Sequence, residues 1–271
     1  MTSLSHYLWL DVAVLAAERD ELALLQHSYS TVFDVEQRLR LDGTVDPEGD
    51  AGGVALRVDD EDPRSFAGPL ERAEWAYGHV HNTLMDGAHE RGWHRLHAAL
   101  LEVRGSGVIV AGPSGAGKTS LTVNAAAQGA LVHSDEGVFL ADGRAVGLPR
   151  RLHLKESARD VLDPRTFDGA AELAYPSPVW AVDPGARWAL PVLRPLDIAA
   201  IIVLGDPVAA PAVRPLSSWQ VLSALATESS MFSRRPERLI AELSRVAEAT
   251  RCVAIDGYYG ARGAEFVDAL V

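Results

Sequence analysis

Short apolar runs alternate with clusters of turn-forming residues along most of the chain. Tyr7 to Leu15 is a mixed apolar segment that predicts a strand, and Leu22, Leu24 and Leu25 mark a short amphipathic helix after it. From Leu41 to Pro69 the dipeptides Asp42-Gly43, Asp46-Pro47, Gly52-Gly53 and Asp62-Pro63 predict hairpins and loops, with Val54 to Val58 a short strand among them. A second helix is predicted from Leu70 through Trp75 and Val80 to Leu84.

The pattern changes near Leu96. Leu96 to Val103 and Gly107 to Ala111 read as two β segments split by Arg104-Gly105-Ser106, a hairpin. Thr119 to Gln128 fits a helix stopped by Gly129, and Ala130 to His133 returns as a strand expected to pair beside Gly107–Ala111. Val138–Leu140 and Ala145–Leu148 predict another hairpin, turning at Asp142-Gly143. Ile198 to Leu204 is an apolar run of the length of a strand buried on both faces. Helices are predicted over Ser217–Thr227 and Pro236–Ala249, separated by a basic loop at Ser233-Arg234-Arg235. The strand Cys252–Ile255 and a last helix near Ala264 to Leu270 follow. The expected organisation is a small α+β region over residues 1–93 and an α/β domain over 94–271.

Composition narrows the functional classes. With 48% hydrophobic and 23% charged residues the chain resembles an ordinary soluble enzyme, and no apolar run approaches the ~20 residues needed to cross a bilayer. No membrane association is expected. Met1 to Asp11 lacks the features of a secretory signal, and the one cysteine, Cys252, has no intrachain partner, so a cytoplasmic location is expected. Cys252 itself reads as a small buried apolar residue. A net charge of -12 and a pI near 5.2 argue against a nucleic-acid partner, whose phosphates an acidic surface repels. Any anion site must therefore gather positive potential locally.

Such a site is written into the chain. Gly112-Pro113-Ser114-Gly115-Ala116-Gly117-Lys118-Thr119 matches G-x-x-x-x-G-K-[ST], with a predicted strand before it and a helix after it. In that context glycines let the backbone curl round phosphates, successive N–H groups and a helix N-terminus face the anion, and the lysine reaches the β- and γ-phosphates. Residues Gly112 to Ser120 are accordingly the expected nucleotide contacts, Thr119 is a magnesium ligand, and ATP, or alternatively GTP, is the expected cofactor together with Mg²⁺. Asp135 and Glu136 follow a predicted strand end, where carboxylates can reach a metal ion and an acceptor hydroxyl.

The stretch from Leu96 to Leu140 resembles the catalytic core of HPr kinase/phosphorylase and its relatives, the HPr-kinase-like serine kinases. The resemblance is carried by Leu96-His97-Ala98, by Gly105-Ser106-Gly107-Val108-Ile109-Val110, by the phosphate-binding loop, and by Gly129-Ala130-Leu131-Val132-His133-Ser134-Asp135-Glu136. It implies that Asp135 is the base that accepts the proton of the attacking hydroxyl, that Glu136 is the second acid and a metal ligand, and that His97 lies beside the phosphates. Pro149-Arg150-Arg151-Leu152-His153-Leu154-Lys155-Glu156 resembles the Pro-Arg…Leu-Lys segment of kinase-only relatives, which makes Arg150, Arg151 and Lys155 candidate phosphate or acceptor contacts. Arg234 and Arg235 are further candidates. The family's Arg-Gly-Leu-Gly-like loop has no counterpart between Ala158 and Ala174, and Glu136 replaces an aspartate; both speak against phosphorolysis.

The fold implied by the resemblance is a mixed, twisted sheet of the phosphoenolpyruvate carboxykinase type, rather than the parallel sheet of common P-loop NTPases. Hairpin-like spacings on both sides of the loop agree with antiparallel strands. The implied activity is an ATP-dependent kinase acting on a serine or threonine hydroxyl of a peptide or small protein. A kinase of a small metabolite hydroxyl and a regulatory NTPase remain alternatives. The family is commonly oligomeric, so a homo-oligomer is a further expectation.

Overall fold

The computed structural model describes residues 2–7, 10–16, 54–58, 89, 92–147, 151–173, 179–182, 184, 187–188, 194–205, 212–229, 236–256, 265, 267 and 269–271. The chain packs as two compact units, Met1–Arg91 and Gly92–Val271. In the first, strands β1 (Thr2–Tyr7) and β2 (Leu10–Ala16) form an antiparallel hairpin, and β3 (Val54–Val58) runs parallel to β2. The single strand expected over Tyr7–Leu15 is thus divided between the end of β1 and β2. The helices expected near Leu22–Leu25 and over Leu70–Leu84 lie outside the described residues.

The second unit is mixed α/β with a mostly antiparallel sheet. Its strands include β4 (His94–Leu96), β5 (Ala99–Val103), β6 (Ser106–Ala111), β7 (Leu131–Ser134), β8 (Val138–Ala141) and β9 (Arg144–Gly147). Further along lie β10 (Leu152–Lys155), β11 (Ala171–Leu173), β12 (Val179–Val182), β13 (Leu196–Leu204), β14 (Ala212–Pro215) and β15 (Arg251–Asp256). The helices are α1 (Lys118–Ala127), α2 (Ser218–Thr227) and α3 (Pro236–Ala249), and residues 265, 267, 269 and 270 are helical.

β13 is the hub. Its first residues pair antiparallel with β9, while Ala200–Leu204 run parallel to β6 on one side and to β15 on the other. One wing of the sheet is therefore β4-β8-β9, and the other continues from β6 through β5 to β7. β10, β12 and β11 form a separate antiparallel sheet.

Strand alternation explains the layering. Ala99, Leu101, Val103, Val108 and Val110 face a core shared with Leu121 and Ala125 of α1. Leu100, Ile109 and Ala111 face a second core closed by Val221 and Leu225 of α2 and by Leu239, Leu243 and Val246 of α3. β13 has apolar residues in both, as its continuous apolar run predicts. Cys252 is buried, and burial raises its thiol pKa.

Two expectations are corrected. Leu131–Ser134 pairs with β5, not with the strand that leads into the glycine-rich loop; β13 takes that place. Leu96–Val103 is not one segment either. The chain leaves the β8 wing at Leu96 and enters the other wing at Ala99, so His97 sits at the crossing, outside both strands.

Candidate functional site

The glycine-rich loop leaves β6 at Ala111 and enters α1 at Lys118. The Ala116 N–H donates to the Pro113 carbonyl at 3.1 Å, closing a turn, and Gly115 and Gly117 adopt φ of 84° and 99°. A side chain at either position would be strained. Gly117 is also the residue ahead of α1, with no side-chain cap on the helix and no acidic residue in its first turn. The leading N–H groups therefore remain available to an anion.

α2 has the opposite arrangement. Its N-terminus is closed by a capping box, in which the Ser217 hydroxyl accepts from the Gln220 N–H at 3.4 Å and the Ser217 N–H donates to Gln220 Oε1 at 3.0 Å. Two ten-residue helices of one unit thus begin differently, one sealed and one open.

Lys118 is buried, and its ammonium donates to the carbonyls of Gly112 at 2.5 Å and Pro113 at 3.2 Å. Burial pulls its pKa down, and the charge of Lys155 pushes the same way; Glu228, Glu136 and Asp135 oppose them. Next along α1, Thr119 Oγ1 donates to Asp135 Oδ2 at 3.4 Å. Asp135 is only 4% exposed. It is aimed by the turn that follows β7, where the Ser134 hydroxyl accepts from Gly137 N–H at 3.0 Å and Glu136 N–H at 3.3 Å. Ser134 is a residue the sequence reading missed, although a serine hydroxyl taking N–H groups two and three residues on is a recognised turn device.

His97 reaches the same cluster from the crossing between β4 and β5. Its N–H, which the break in the strand leaves without a ladder partner, donates to the Glu228 carbonyl at 2.7 Å. Its Nδ1 lies 3.2 Å from Glu228 Oε2. Burial and the charges of Lys118 and Arg95 lower the imidazole pKa, against Glu136 and Glu228, which raise it. Glu228 follows the last turn of α2, and nothing in its sequence neighbourhood marks it; only the fold brings it to His97.

The remaining candidates divide. Pro113, Ser114 and Gly115 are exposed on the loop, Ala116, Thr119 and Ser120 are half-buried, and Gly112 is buried. Lys155 ends β10 exposed, and its charge acts on Lys118. Arg151 is half-buried just ahead of β10. Arg150, Arg234 and Arg235 lie outside the described residues.

No family model and no curated protein matches the chain. Among solved structures it is similar to the Hpr(Ser) kinase/phosphatase from Coxiella burnetii, at 12% identity and a TM-score of 0.32, over 65% of this chain and 87% of that one. The likeness is distant, and the chemistry of the site stands on its own residues.

Those residues suit a hard cation held largely by its substrate. Among the described residues no group of three or more His, Cys, Asp or Glu side chains could hold a metal ion. Magnesium is commonly bound through one or two protein oxygens, with phosphates and water completing the octahedron. The Thr119 hydroxyl, beside an open helix N-terminus and 3.4 Å from the Asp135 carboxylate, is an oxygen of that kind. The charge of the Glu136 carboxylate acts on both Lys118 and His97.

Proposed function

We propose that this chain is an ATP-dependent phosphotransferase of the HPr-kinase-like type, which moves the γ-phosphoryl group of ATP onto a serine or threonine hydroxyl of a peptide or small protein. The observation that carries the reading is the meeting of Thr119 and Asp135 beside an uncapped helix that starts from a glycine-rich loop. It supplies an anion cradle, a metal ligand and a carboxylate within one space. The run Leu131 to Glu136, which resembles the family's paired-acid segment, supports Asp135 as the base and a peptide hydroxyl as the acceptor. A parallel trio of β6, β13 and β15 flanked by antiparallel strands agrees with a fold of the phosphoenolpyruvate carboxykinase type.

The chain's own residues account for each step. N–H groups of the loop and of the first turn of α1 receive the β- and γ-phosphates. Lys118 exchanges the carbonyls of Gly112 and Pro113 for phosphate oxygens. Thr119, with the carboxylate of Glu136, would hold Mg²⁺, which when bound would offset the charge of the phosphates. The acceptor oxygen bonds to the γ-phosphorus as the bond to the β–γ bridging oxygen breaks, ADP departs, and the hydroxyl proton passes to the Asp135 carboxylate. Positioning and electrostatics supply the rate, since little covalent chemistry falls to the protein.

Asp135→Asn tests this. Affinity for Mg²⁺-ATP is expected to stay within a few-fold, while transfer of radiolabelled γ-phosphate to a serine- and threonine-containing peptide library drops by about 10²–10⁴-fold. Transfer at the wild-type rate would remove Asp135 from the chemistry. Label that enters small hydroxyl compounds and no peptide would overturn the acceptor class.

A further inference from the structure

His97 is held twice by one residue distant in sequence. Its backbone N–H goes to the Glu228 carbonyl at 2.7 Å, and its Nδ1 faces Glu228 Oε2 at 3.2 Å. That backbone bond belongs to an isolated antiparallel bridge between Leu96 and Ser229, which ties the end of α2 to the chain beside the ring. The Glu228 carboxylate is itself sheltered, with a side chain 11% exposed, while the His97 side chain keeps 35% of its surface open.

We propose that Glu228 is a positioning residue that fixes His97 in the Nδ1–H tautomer beside the glycine-rich loop, a role resting on the phosphotransferase reading above. A carboxylate can only accept, so the ring nitrogen facing it carries the proton. Nε2 is then the nitrogen left for the reacting phosphates or their bound water. Glu228 also acts on Lys118, and Glu136 and Arg95 complete the charged groups that act on the ring. A carboxylate that holds one nitrogen of a working imidazole sets its tautomer and orientation, and losing the analogous partner of a metal-bound histidine typically costs about 10–100-fold in activity. Glu228 lies directly after the last turn of α2, and its carbonyl meets the crossing between β4 and β5.

The test uses the full chain labelled with ¹⁵N on its histidines, with Mg²⁺-ATP as the probe and water as the acceptor. In the wild type the His97 ring is expected to show a protonated Nδ1. Glu228→Ala should shift it to the Nε2–H form and lower kcat for phosphate release by about 10–100-fold, with KM for Mg²⁺-ATP changed far less. Glu228→Gln, whose amide oxygen still accepts, should restore the Nδ1–H form and most of kcat. The His97→Ala and Glu228→Ala losses should not add in the double variant. An unchanged tautomer, or an unchanged kcat, in a folded Glu228→Ala protein overturns the proposal. Lys118→Ala run in parallel separates the two readings: loss of turnover there with none in Glu228→Ala removes only the role of Glu228, whereas full turnover in both removes the phosphotransferase reading itself.

Discussion

Two histidines in this unit each face a glutamate, and the surroundings of the pairs differ completely. His133 Nε2 lies 2.8 Å from Glu102 Oε2, and the other oxygen of Glu102 accepts from Arg194 at 2.7 Å, so the carboxylate is engaged on both sides. The His133 side chain has no exposed surface. Gly147 presses on its backbone so closely that an added Cβ would lie 2.5 Å from the His133 carbonyl oxygen. His97 faces Glu228 across a similar distance but keeps about a third of its side chain exposed, and the charges of Lys118, Glu136 and Arg95 act on its ring. The pairing of imidazole with carboxylate therefore says little by itself. What separates the two is whether the surroundings close over the ring, as at His133, or leave part of it exposed, as at His97.

That contrast is broken most sharply by exchanging the two effects. His133→Ala strands Glu102 and Arg194 around a lost partner and should cost about 1–3 kcal/mol of stability, read by urea unfolding, with turnover of Mg²⁺-ATP little changed in the protein that remains folded. His97→Ala should show the reverse: a stability change within about 0.5 kcal/mol, as for a partly exposed site, and a clear loss of turnover. Similar losses of turnover in both variants would erase the distinction.

A smaller effect comes from pH. Burial lowers the His133 pKa against the pull of Glu102, so the folded state takes up its proton less readily than the unfolded chain, whose histidine titrates near 6.5. The stabilisation is thus fully present above about pH 6.5 and is lost as pH falls from there toward the folded value. The urea midpoint should be lower at pH 5.5 than at pH 7.5, and the drop should shrink in His133→Ala. An identical drop in both proteins would place the titration elsewhere.

Much of the second unit is legible in the chain. Periodicity and turn chemistry locate β6, α1, the β8–β9 hairpin at Asp142-Gly143, β13, α2, α3 and β15, because each is a local pattern ended by a local signal. The glycine-rich loop is legible for the same reason, its strained glycines being spelled out in sequence. Strand order is not local. The place beside β6 goes to β13, whose apolar run comes long after the loop, and no turn length announces that. The small sheet of β10, β12 and β11 carries no clear local pattern, because its strands are three or four residues long and lie among charged residues and prolines. Glu228 was hidden most completely. One acid among the chain's 37 acquires meaning only when the end of α2 meets the gap between β4 and β5.

The measurement that bears most directly on nucleotide chemistry at this site is calorimetric titration of Lys118→Ala with Mg²⁺-ATP, paired with its rate of phosphate release. Lys118 is the buried cation of the loop, already gripping the carbonyls of Gly112 and Pro113. The account predicts weakened binding and abolished turnover, with the backbone cradle retaining a residue of affinity. Wild-type affinity together with wild-type turnover would contradict it.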